Sequence, residues 1–153
     1  MSIIEQIQNI RKTIEDTLVS KKLFRTVFSQ YMEITNLIET PVCIIQTKGI
    51  DDIVSANMVA SDYNATISFG LLCRFPVSEF KTNKDIFLQI QQALISLVAP
   101  MLYNRDSNGE SNGVNVLSCS LTGLSGASTV IEGSSDFLQI DAELTINIRG
   151  TLA

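Results

Sequence analysis

The chain has 153 residues, a net charge of −5, 45% hydrophobic and 18% charged residues, and no histidine. That length and composition suit one globular domain, and the missing imidazole removes the commonest general base, the usual metal ligand and every Ser-His or Cys-His nucleophile pair. Residues 1–50 carry six Lys/Arg against five Asp/Glu and residues 103–153 two against six; with no basic stripe interleaved with aromatics, sequence-specific nucleic-acid binding drops out of the reading.

Ile3, Ile7, Ile10, Ile14 and Leu18 recur at spacings of three and four, and Ser2 with Glu5 reads as a capping box, so a first amphipathic helix is expected from Ser2 to Val19. No stretch is apolar enough to span a bilayer and no uninterrupted signal-peptide core stands at the N-terminus, which gives the expectation of a soluble, non-exported protein. Leu23 to Phe28 suits a short strand, and Ser29 to Glu39 fits a helical turn or two. Pro41-Val-Cys-Ile-Ile-Gln46 is a β-branched run opening on proline, the first position of a strand. A turn is expected at Lys48-Gly49, with Asp51-Asp52 after it, then a strand Ile53–Ala60 and a turn Ala60-Ser-Asp62. Tyr63, Ala65, Ile67, Phe69, Leu71, Cys73 and Phe75 alternate with polar or small residues over one very long strand, forming an antiparallel ribbon with the strand before it.

From Thr82 to Leu102 the apolar positions Ile86, Phe87, Ile90, Ala93, Leu94, Leu97, Val98 and Met101 predict one long amphipathic helix, with Thr82 and Asp85 as its capping box and Pro100 in its last turn. Its stripe should pack on the sheet. Asn104 to Gly113 has no apolar residue and reads as a solvated, mobile loop. Val114–Thr122 is a strand with uneven alternation, Gly123–Gly126 a small-residue bend, Ala127–Glu132 a short strand, and Gly133-Ser-Ser-Asp136 the turn into a last long strand, Phe137–Arg149. Consecutive strands on short connections favour antiparallel pairing; the fold class is α+β, a mainly antiparallel sheet with two amphipathic helices packed on one face.

Few groups in the sequence carry chemistry. Cys43, Cys73 and Cys119 are odd in number and lie in apolar strand patterns, as buried reduced thiols do. The acidic pairs Glu15-Asp16, Asp51-Asp52 and Asp141/Glu143 read as solvated carboxylates. Asp106-Ser-Asn-Gly-Glu110 lacks the spacing and the distal glutamate of a calcium loop, and no lysine follows Gly123-Leu-Ser-Gly126 as a phosphate loop would require. No catalytic residue, metal or cofactor is assigned. What stands out is the outward face of two strands more than twice the usual length of about 5–6 residues. It carries Asn64, Thr66, Ser68, Gly70, Leu72 and Arg74 on one strand, and Gln139, Asp141, Glu143, Thr145, Asn147 and Arg149 on the other. Such a surface is available to neighbouring subunits.

The order of elements resembles that of the tail terminator proteins of long-tailed bacteriophages. The likeness lies in the N-terminal amphipathic helix, the Pro41–Gln46 strand, the long strand ending in Arg74-Phe75-Pro76, the helix Lys84–Met101, and the paired C-terminal strands ending in Ile146-Asn-Ile-Arg-Gly150. It covers nearly the whole chain as a pattern and contains no diagnostic motif. The resemblance implies an α/β sandwich that assembles as a hexameric ring in the virion, caps the tail tube, stops its polymerisation and joins tail to head. Its partners would be further copies of itself, the tail tube protein and a neck or connector protein, with no membrane and no sequence-specific nucleic acid. Asp51, Asp52, Arg74, Arg105, Asp106, Glu110, Asp141, Glu143 and Arg149 are the candidate interface residues. The alternatives are another neck or tail-completion ring protein, and a cytosolic α+β ligand-binding domain or small enzyme working without histidine.

Overall fold

A computed structural model describes residues 1–29, 40–55, 62–106, 108–124, 126, 128–132 and 135–152. Ser2 accepts from the Glu5 amide at 3.1 Å while the Glu5 carboxylate accepts from the Ser2 amide at 3.0 Å, a complete capping box that starts helix α1, Ile3–Ser20. Short strand β1, Thr26–Phe28, lies parallel to β2, Val42–Ser55, at residues 42–44. Strand β2 pairs antiparallel with β3, Tyr63–Pro76, along its whole length. The turn expected at Lys48-Gly49 and the separate strand after it are therefore one continuous strand. Its register shifts at Thr47/Gly49 and Asp51/Val54 are bulges, which use the same short polar and glycine residues as a turn. The expectations for residues 30–39, 56–61 and 133–134 lie outside the described residues.

Three helical segments follow β3: α2, Val77–Thr82, α3, Ile86–Ile95, and α4, Val98–Leu102. The single helix expected from Thr82 to Leu102 is broken twice. Thr82 donates its hydroxyl to the Ser78 and Glu79 carbonyls and closes α2, so it caps nothing in α3, and the Asp85 side chain makes no cap. The second break follows from Pro100. Its ring nitrogen cannot donate to the Ser96 carbonyl, and its ring crowds that carbonyl, so the helix gives way at Ser96-Leu97, where the Leu97 amide turns to Leu94 at 3.1 Å. Strand β4, Val116–Thr122, and strand β5, Ser128–Glu132, both pair antiparallel with β6, Ser135–Gly150, one after the other along the same side of it. Gly123 sits at the junction with φ +87, and a Cβ there would come 2.5 Å from the Asp141 carbonyl oxygen; only glycine fits the bend.

The result is an α+β fold around a mixed, mostly antiparallel six-stranded sheet in the order β1-β2-β3-β6-β4, with β5 beside β6. Ile10, Ile14 and Leu18 of α1, Ile90 and Leu94 of α3, and Leu97 join Phe69, Leu71 and Phe75 of β3 and Leu144 and Ile146 of β6 in one cluster, all of them at 0% exposure. Cys43, Cys73 and Ile45 belong to it; Val42 and Ile44 are buried outside it. Alternation along β3 and β6 thus directs one set of side chains into the core and leaves the other set for the opposite face.

Candidate subunit interface

Strand register lays that opposite face out in rows. Asp51, Thr66, Asn147 and Ser118 run across β2, β3, β6 and β4, and Gly49, Ser68, Thr145 and Ser120 form the next row. The hydroxyl and amide residues of β3 and β6 in these rows are half-buried, and Asp141 is exposed.

One row contains a device the sequence does not announce. The bulge at Lys48 aims its side chain across β3, where Gly70 offers no side chain; a Cβ on Gly70 would fall 2.8 Å from Lys48 Cε. Through that gap Lys48 Nζ reaches Glu143 Oε2 on β6 at 3.4 Å, with the two side chains 46% and 39% exposed. The pair spans three strands, yet at that exposure it contributes only about 0–1 kcal/mol. Glu143 is thus a solvated carboxylate with a partner in the chain, Lys48. The signal that could have found this was Gly70 itself, a glycine inside a strong strand pattern.

The other candidates separate. Arg74 is only 7% exposed: its Nε and Nη2 donate to Gln139 Oε1 at 3.3 and 2.9 Å, and its guanidinium lies 5.6 Å from the Phe137 ring centre. It ties β3 to β6. Arg149 pairs with Asp62 at 3.8 Å at the other end of the sheet. Asp51 and Asp52 are exposed on the bulged end of β2, Asp52 at φ 50. The Asp106 carboxylate accepts from the Asn108 and Glu110 amides, both at 2.9 Å, which makes it a turn-forming acceptor and gives the 104–113 loop a hydrogen-bonded shape. Asn112, 8% exposed, fastens that loop to α1 by accepting from Asn9 at 2.9 Å. Arg105 and Glu110 are exposed beside it. The nine residues thus fall on the sheet face, on the β2 edge and in the loop on the β4 side, and form no single cluster.

Gln6 was not singled out by its sequence context, yet it is 2% exposed and joins three segments. Its Nε2 donates to Arg149 O at 2.8 Å and Met1 O at 3.3 Å, and its Oε1 accepts from the Asn115 amide at 2.9 Å. These groups, with Asp62, Ser111 and Gly113, line an open cleft of about 600 Å³. Its polar groups bond to the chain itself, which leaves Gln6 and the Arg149–Asp62 pair poorly suited to grip a small ligand.

The thiols are free, with Cys43 and Cys73 facing each other across β2 and β3 at 3.5 Å between sulfurs. The Cys43 contact and burial hold the Cys73 thiol well above its usual range, and burial pushes Cys119 up to about 11. Among the described residues no group of three or more His, Cys, Asp or Glu side chains is placed to hold a metal, and no helix is long and apolar enough to cross a membrane.

The fold and its surface define an α+β protein whose most developed feature outside the core is a broad polar sheet face flanked by two strand edges. No protein-family model matches the chain, and no curated protein matches it significantly.

Proposed function

We propose that the chain is a structural virion protein, a tail terminator that forms a hexameric ring, caps the tail tube, ends its polymerisation and joins it to the neck. The observation that carries the reading is the pair of 14- and 16-residue strands β3 and β6, whose outward rows of serine, threonine, asparagine and glutamate are far longer than one helix layer needs for support. A rigid polar face of this kind suits contacts that must form and hold without a hydrophobic core of their own. The lack of histidine and the acidic balance suit a conduit that DNA passes without adhering. The cleft lined by Gln6 and Arg149 gives a ligand-binding reading little support, because its polar groups already have partners. The test is electron microscopy of particles assembled without this chain. Overlong, headless tails are expected; normal-length tails attached to heads would overturn the terminator reading.

A further inference from the structure

Single exposed apolar side chains are ordinary on a protein surface, but this sheet carries two groups of them, one at each edge. Strand β1 covers β2 only at residues 42–44, and no described strand pairs with that edge of β2 from Ile45 to Val54. At its far end Ile53 and Val54 are 50% and 58% exposed, beside the exposed Asp51 and Asp52. On the opposite edge, Leu117 is 48% exposed where the β4 register shifts. Leu102 and Tyr103, 46% and 74% exposed, end the neighbouring helix α4, whose following residue Asn104 accepts from the Val116 amide at 3.1 Å. Exposed Arg105 comes next.

The two groups lie at the same end of the sheet. Val54 pairs with Asn64, Asn64 with Arg149, and Val116 with the adjacent Ile148. Each step from β2 to β3, β6 and β4 is antiparallel, so β2 and β4 run in opposite directions. In a ring whose axis follows the strands, β2 of one copy would meet β4 of the next antiparallel, with both apolar groups level. The geometry points to a head-to-tail contact in which Ile53 and Val54 of one copy dock on Leu102, Tyr103 and Leu117 of the next, with Asp51 and Asp52 facing Arg105. This inference rests on the ring reading and names its junction.

Charge selects that arrangement over a two-fold one. Placing the β2 edge against its own copy would set Asp51 and Asp52 against the same carboxylates, whereas the β4 side offers Arg105, with the neighbouring Asp106 carboxylate held on the Asn108 and Glu110 amides and Glu110 the exposed acid of that turn. The bulges at Asp52-Ile53 and Leu117 are devices that keep an open edge from pairing indiscriminately along its backbone. Recognition then passes to the side chains they display. A head-to-tail contact leaves one unused edge at each end of an open chain of copies, and ring closure satisfies both.

The test uses two preparations in a Cys119→Ser background, one carrying Val54→Cys and the other Leu117→Cys, treated with a short bismaleimide apart and mixed, with the masses of the untreated samples measured in parallel. Dimer-sized product from the mixture alone is expected, together with a ladder that stops at ring size when one chain carries both cysteines. Arg105→Asp should weaken association about tenfold or more, and Asp51→Arg in the same chain should restore it. Assembly without the mixed cross-link, or with cross-links inside either preparation alone, would overturn this junction while leaving the ring standing. A chain that stays monomeric throughout would overturn both.

Discussion

The two faces of the β3–β6 pair are built from the same strands and do opposite work. On one, Phe69, Leu71, Leu144 and Ile146 are fully buried in a cluster that also holds residues of α1 and α3, and their identities answer to packing. On the other, Ser68, Thr145, Asn147 and Glu143 stay half-exposed and make only light contacts such as the Lys48–Glu143 pair. Core packing and surface chemistry are thus written on alternate residues of one strand, so substitutions one position apart should report different properties.

The sharpest way to break that contrast is in the core. Leu144→Ala should cost about 2–5 kcal/mol in chemical denaturation, because it removes a fully buried side chain and leaves a cavity; a loss near zero would mean the faces are assigned in reverse. Gly123→Ala should cost about 1–3 kcal/mol from its left-handed backbone alone, with the clash against the Asp141 carbonyl added to that. On the polar face Glu143→Gln should change stability by less than about 1 kcal/mol, since its ion pair is solvent-screened. It sharpens the comparison better than Glu143→Lys, which would set a second cation against Lys48.

The thiols provide the most pH-specific effect. Cys119 is raised in the folded chain to about 11, so the folded state holds its proton longer than the unfolded state does. Its contribution is fully present below the ordinary thiol range and is lost as pH rises towards about 11; Cys73 shifts in the same direction. Denaturation midpoints should therefore fall between about pH 9 and 11, and a Cys119→Ser variant should fall less steeply. Equal slopes would show that Cys119 is not desolvated as the structure has it.

Much of the fold could be read from local pattern. Helix α1 was legible because its stripe and its capping pair, Ser2 and Glu5, lie within a few residues of one another. The core sides of β3 and β6 were legible because alternation alone sets them. Strand β2 is not legible as one strand because Lys48-Gly49 and Asp51-Asp52 look the same in a bulge and in a turn, and only pairing with β3 decides between them. The break at Ser96-Leu97 is hidden from local pattern because a proline acts on the carbonyl four residues before it, not where it stands. Of the candidate surface, the polar rows followed from strand alternation. The burial of Arg74 against Phe137 and the reach of Lys48 over Gly70 depend on which strands are neighbours, and one sequence does not state that.

Whether this chain is a ring-forming subunit is tested most directly by its mass in solution, measured by sedimentation equilibrium over a wide concentration range. A ring-forming subunit passes from the 16.8 kDa chain to a single closed hexamer, with no open-ended series of larger species. A 16.8 kDa monomer at every concentration would contradict it.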